Sequence, residues 1–550
     1  MACSIHCETR LTNPIVRSMR RTSIILCGLL TLLAAAGPVA AQTGRFQASF
    51  RHDQVTVVDT TTNHVVIGPN GRSLSYGTSL RPRIEFVPQT DGFDLNFTFT
   101  NTGNQPAPLG YLTVPGLRFG RSVSYRDFLH QSDLATADHQ GRDYMGTIFQ
   151  YPSLSYSPVF VVGDGSATVG VSLMYPILEY KHPVEVRLIS PGGELALPTR
   201  NWEVYFWMPG EVPAGATRRY SVAVRLTADA SQWIRTLVPY RDYFKRTYGD
   251  ARYTRDSRPV SGVTISDPAC QTAANTHGFC GPWRPDTGGW GTVAPRLRGR
   301  EALGFSRMML WNPTGFFRDH PDLNFPFQFM TAMNSFPAMR GSLGVLRAVA
   351  GPNLEVGYWW GHSQLVMDGW DNGSATVLDP HNPEHVRMAM AELDMAVSLN
   401  ATTIGLDAFI GMPDWEAVDW LLALRARAPN VKFVIERDFS APDILHVLSP
   451  TWINGRDLRT GHILADFFIP GHESWFGLPR AYWSHMALPR KTPSSPASPT
   501  WGSFPLSSMI TASPAMTSRP RNPGVTPSPL TCGLGIRTPE TESLKPRLRQ

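Results

Sequence analysis

The spacing of apolar residues changes once along this chain, near Val260, and that change restricts it to two architectures joined in series. Before it the period is two. Phe93, Leu95, Phe97 and Phe99 alternate with polar residues and stop at the turn-forming Asn101-Thr102-Gly103-Asn104. Trp202, Val204 and Phe206 repeat the pattern, as do Tyr220, Val222, Val224 and Leu226 after Pro213-Ala214-Gly215. Alternation of this kind belongs to antiparallel strands that bury one face. Several such runs with almost no helical spacing predict a large β-sandwich over residues 42–228.

A connector, residues 229–258, carries the aromatic and basic stretch Trp233 to Tyr248 and reads as a helix leading out of the sandwich. From residue 259 the grammar is βαβ. Short apolar runs at Gly262 to Ser266, Phe305 to Trp311, Leu354 to Trp360, Thr403 to Phe409, Val431 to Glu436 and Ile463 to Phe468 alternate with helical stretches. Asn382 can cap a helix with Pro383 at its first position, and Asp414 opens another that Pro429 stops. No Gly-rich phosphate loop follows the first run, so a (β/α)8 TIM-type barrel over 259–488 fits better than a doubly wound sheet. Only six strands are legible, so the barrel reads as incomplete.

After Leu488 the composition breaks. Residues 489–550 hold 12 Pro and 18 Ser or Thr among 62 positions, which predicts a disordered tail, either a natural linker or out-of-frame sequence. The formal charge of +6 is concentrated at the two ends of the chain. The first 41 residues contribute +3 and the tail +6, leaving about −3 for the body, so nucleic-acid binding has no electrostatic support.

Those first 41 residues have the order of a secretory signal peptide. Arg17, Arg20 and Arg21 precede the apolar run Ile24 to Ala36, and Val39 and Ala41 are small enough for cleavage after Ala41. No later stretch is apolar enough to span a bilayer, so a secreted, periplasmic or cell-surface protein is expected. Export would allow Cys270 and Cys280, the two cysteines of the body, to form a disulfide; two free thiols or a metal clip with His277 are the alternatives.

In a barrel of this kind reacting groups stand where strands end at the C-terminal rim. Thr403-Ile404-Gly405-Leu406 ends in Asp407, the fourth strand by count, and Ile463-Leu464-Ala465 ends in Asp466, the sixth. With these residues, residues 43–488 resemble retaining glycoside hydrolases of the α-galactosidase and α-glucosidase type, which place a β-sandwich before a (β/α)8 barrel. The resemblance implies Asp407 as nucleophile and Asp466 as acid/base. Those enzymes usually carry a charged residue two before the nucleophile, where this chain has Gly405.

Glu436, ending Val434-Ile435-Glu436, is a competing rim carboxylate, read either as a substrate contact or acid/base or as a salt-bridge partner of Arg437. Glu473, in Gly471-His472-Glu473-Ser474-Trp475, is expected on a rim loop. Trp359, Trp360 and His362 end the third strand, and with Trp311 and Trp475 they are the residues expected to stack on or read an oligo- or polysaccharide. His362, His472 and Asp368 lack the spacing of a zinc motif such as His-Glu-x-x-His, so no metal and no cofactor are predicted. A non-catalytic carbohydrate-binding or cell-surface protein on the same scaffold is the alternative function.

Overall fold

The computed structural model describes residues 44–478 and 500–503, less the segments 69–74, 77–78, 121, 127–132, 139–143, 146–148, 153–154, 191–198, 265–287, 312–326, 328, 335, 362–364, 368–374, 408–411, 437–441 and 454–460. Residues 1–43, where a signal peptide is expected, and Cys270, Cys280 and His362 lie outside the described residues.

The alternating half folds as two antiparallel sheets. In the nine-stranded sheet, Ala107–Gly120 and Thr199–Val212 form the central pair, with Phe46–Arg51, Gln54–Asp59 and His64–Ile67 on one side and Val184–Ser190 on the other. The seven-stranded sheet is centred on Gly92–Thr100, Thr217–Thr227 and Thr168–Met174. Phe93, Leu95, Phe97 and Phe99 are at most 1 % exposed, as are Trp202, Val204 and Phe206, so the period-two residues form the buried faces. The Asn101 turn is locked by its own amide. Its side chain donates to the carbonyls of Val212 and Gln105 and accepts from the Gly103 N–H.

The second half forms a closed eight-stranded sheet. We number its strands β1 (Val260–Thr264), β2 (Arg307–Trp311), β3 (Glu355–Trp360), β4 (Ala401–Leu406), β5 (Lys432–Glu436), β6 (Thr451–Ile453), β7 (Glu473–Leu478) and β8 (Thr500–Ser503). Strands β1 to β7 run parallel, whereas β8 closes the ring antiparallel to both β7 and β1. Two expectations are corrected here. The run Ile463 to Phe468 is not a strand but part of the helix Gly461–Phe468, and the sixth and seventh strands are β6 and β7. The ring is also closed, by a strand from within the Pro/Ser/Thr-rich tail. The helix predicted from its Asn382 cap is present as Pro383–Ser398, where the Asn382 side chain accepts from Glu384 N; the helix Asp414–Arg427 is also present, but Asp414 is its first residue and the capping position is Pro413, with no side-chain cap.

The connector does more than link the two halves. It forms a 3-10 turn, Ala230–Leu237, and the helix Val238–Tyr248, which packs Phe244 on Phe468 at 6.0 Å. At this junction Asp443, fully buried, accepts from the hydroxyl of Tyr151 of the sandwich (2.8 Å), from that of Tyr240 of the connector (2.7 Å) and from Ile444 N (2.8 Å). Next to it His446 stacks on His472 at 4.1 Å and its Nδ1 stands 3.1 Å from the Tyr156 hydroxyl.

Desolvation outweighs these three donors and lifts the Asp443 carboxyl to about 7, while burial drives Tyr151 and Tyr240 well above ordinary tyrosine values. Because the folded carboxyl holds its proton more tightly than the unfolded one, stability is lost as pH rises from about 4 towards 7. The full change is on the order of 4 kcal/mol. Asp443→Asn should flatten the pH dependence of thermal unfolding across this window and raise Tm above pH 7, as read by calorimetry from pH 5 to 8.

Candidate active site

Alternate residues of each barrel strand point inward, and they form three tiers. At the N-terminal end the tier is ionic. Glu473, 1 % exposed at the first position of β7, accepts from Asp256 N (2.6 Å), Lys432 Nζ (3.2 Å), Thr451 Oγ1 (3.4 Å) and Trp475 Nε1 (3.3 Å). Arg307, 3 % exposed, lies 3.8 Å from Glu473 and 3.3 Å from Asp256. Arg258 bridges Asp256 and Glu355 at 2.7 and 2.5 Å. Burial pulls the Lys432 ammonium below its ordinary value although Glu473 opposes this. Burial pushes Asp256 upward, but the Arg258 hydrogen bonds and the Arg307 charge overcome it and hold the carboxyl at about 2.

The middle tier is apolar: Val260, Met309, Trp359, Val434 and Trp475 form one small buried cluster. Its geometry depends on a glycine. A Cβ on Gly405 would lie 1.9 Å from Cε3 of Trp359, so the indole occupies the volume that any side chain at 405 would need. This accounts for glycine where the resembling hydrolases carry a charged residue.

The third tier is the C-terminal rim. Gly405 faces Trp359 and Val434 joins it; two residues further on, Glu436 ends β5 on the same alternation and Asp407 stands one residue past the end of β4. Leu406 pairs with Ile435 in the parallel ladder, which makes Asp407 and Glu436 neighbours on the next rung. Both are half-buried, and Asp407 N donates to the Trp360 carbonyl at 3.3 Å.

The other expected site residues are placed elsewhere. Asp466 sits in the helix Gly461–Phe468, where it accepts from the Arg255 guanidinium and from Gly471 N at 3.1 Å, so the strand-end position that singled it out does not exist. Glu473 belongs to the N-terminal ionic tier, at the opposite end of the barrel from the rim. Trp359 and Trp475, each 1 % exposed, fill the barrel interior and offer no ring to a sugar. Trp360 points outward, fully buried, against Phe327 at 5.5 Å. Trp311 ends β2. The Asp407–Glu436 pairing was hidden because sequence shows two strand-ending carboxylates but not the register that makes them neighbours.

No protein-family model and no curated protein matches this chain. Solved structures do align with it. The cyclic alpha-maltosyl-(1→6)-maltose hydrolase from Arthrobacter globiformis is 12 % identical over 40 % of this chain, with a TM-score of 0.26, and the alignment spans 63 % of that enzyme. A maltogenic amylase from S. marinus is 8 % identical over 72 % of this chain and 76 % of its own, with a TM-score of 0.28. The type III pullulan hydrolase from Thermococcus kodakarensis is 9 % identical over 66 % and 67 %, with a TM-score of 0.26. At these scores the likeness assigns no family, and the functional reading rests on the rim.

Among the described residues no group of three or more His, Cys, Asp or Glu is placed to hold a metal ion, and no helix is long and apolar enough to cross a membrane. The Gly405–Trp359 fit is directly testable. Gly405→Ala should cost about 1–3 kcal/mol in urea unfolding. Combining it with Trp359→Leu should cost less than the two single changes added, because the smaller side chain vacates the contested volume.

Proposed function

We propose that this chain is an exported glycoside hydrolase whose site is the rim pair Asp407 and Glu436, on a variant of the TIM-type barrel. The observation that supports the reading is the pairing of Leu406 with Ile435 in adjacent parallel strands, which sets Asp407 and Glu436 side by side at their C-terminal ends. In this reading Asp407 attacks the anomeric carbon as Glu436 gives its proton to the leaving oxygen. Glu436, now a carboxylate, then takes a proton from the water that displaces Asp407, so the configuration is retained. The substrate is an oligo- or polysaccharide, and the acid/base role passes to Glu436 from Asp466, which its helix withholds from the rim.

The test is turnover of a panel of aryl α- and β-glycosides. Asp407→Asn should abolish hydrolysis of every substrate the wild type cleaves. Glu436→Gln should lower kcat about 10²–10⁴-fold on poor leaving groups, much less on nitrophenyl glycosides, and recover with azide. Equal loss on all leaving groups would remove Glu436 from the acid/base role, and an inert but folded wild type would leave the non-catalytic carbohydrate-binding reading.

Export is part of the same proposal. Expression in a bacterial host should yield a periplasmic or secreted product whose N-terminal sequence begins at Gln42; a product retaining Met1 in the cytoplasm would refute it.

A further inference from the structure

Trp359 touches the two strands that carry the rim carboxylates. Its indole is buried and lies over Gly405 of β4, where three atoms of the six-membered ring occupy the space a Cβ would need. The same ring shares its buried cluster with Val434 of β5. Asp407 lies two residues beyond Gly405 and Glu436 two beyond Val434, so the indole bears on each carrier strand just below its carboxylate. The next residue of β3 adds a second hold. The Trp360 carbonyl accepts from Asp407 N at 3.3 Å, and the Trp360 ring is packed against Phe327 with ring centres 5.5 Å apart. Strand β3 therefore grips the end of β4 twice, by a ring against Gly405 and by a carbonyl beside Asp407.

We infer that Trp359 is a positioning residue for Asp407: its indole sets where the end of β4, and with it the nucleophile of the proposed hydrolysis, stands. The inference rests on the hydrolase reading and adds a residue that never meets the sugar. Asp407 stands one residue past Leu406, the last residue of β4 in the ladders to β3 and β5. Gly405, two residues before it, is the most freely turning residue a strand can hold and offers no side chain as support. The indole takes the place of that missing side chain and stops the backbone of Gly405 from moving inward. Attack on an anomeric carbon needs the carboxylate held closely in distance and direction, and a misplacement of about 1 Å costs on the order of 10²-fold in rate. A shift of Trp359 would therefore be felt as lost nucleophilic attack, with substrate binding and proton transfer left to other groups.

Steady-state kinetics of the full-length mature protein test it, on the nitrophenyl and the unsubstituted phenyl glycoside of the sugar that the wild type cleaves, well below the lowest Tm of the set. Trp359→Leu should lower kcat about 10–100-fold with KM within about twofold of wild type. The loss should be equal on both leaving groups and should not recover with azide, whereas Glu436→Gln spares the nitrophenyl glycoside. Trp359→Phe, which keeps a flat ring beside Gly405, should regain most of the lost kcat. Gly405→Ala, which displaces the indole, should lower kcat in the same pattern and supplies the readout should Trp359→Leu not fold. Phe97→Leu, in the core of the sandwich, should lower Tm and leave kcat and KM at wild-type values. Wild-type kcat in a folded Trp359→Leu or Gly405→Ala protein, a loss confined to the phenyl glycoside, or an equal loss in Phe97→Leu would each overturn the role. The two readings fail distinguishably. An inert wild type or an active Asp407→Asn sinks the hydrolase reading and the positioning role with it. Silence of Asp407→Asn beside full turnover by Trp359→Leu sinks the positioning role alone.

Discussion

The barrel depends on one steric exchange: Gly405 gives up its side chain so that the Trp359 indole can cross the interior. A closed sheet of eight strands must be filled by the residues it points inward. Here one large ring from β3 covers the position opposite it on β4, and Val260, Met309, Val434 and Trp475 complete the layer. That layer separates the buried ion cluster below from the carboxylates above.

The second constraint is the junction. The sandwich, the connector helix and the barrel converge on Asp443, whose two tyrosine partners come from different parts of the chain. A buried carboxyl with three donors favours one relative placement over any slipped one, since a slip would leave a buried acceptor without partners. The cost is a stability that depends on the proton Asp443 carries, and the stacked His446 and His472 lie beside it in the same junction.

How much of this was legible in the sequence follows from the length and period of each signal. The sandwich strands could be read because alternation is sustained over seven to fourteen residues in strands such as Gly92–Thr100 and Thr199–Val212. Strands β4 and β5 could be read because capped helices bracket them. Ile463 to Phe468 misled because a short apolar run satisfies a buried strand and a buried helix equally; Leu464, Ala465 and Phe468 are the buried side of the helix it forms. A sixth strand at that run puts Glu473 on a rim loop, whereas it opens β7 at the other end. Thr451–Ile453 has three residues, too few for any period to show.

Strand β5 shows how closely chemistry and folding are bound together. Within five residues its inward positions are Lys432, tied to Glu473 in the ionic tier, then Val434 in the apolar layer, then Glu436 at the rim. Carboxylates at the two ends of the barrel therefore have opposite fates. Glu473 is enclosed by Lys432, Arg307 and three further hydrogen-bond donors, so its charge serves to close the barrel. Glu436 is half-buried on the rung that follows Leu406–Ile435, beside Asp407, where the loops begin. A register slip of one residue would turn all three inward positions of β5 outward at once. The Lys432–Glu473 pair at the floor of the barrel thus also fixes which carboxylate reaches its mouth.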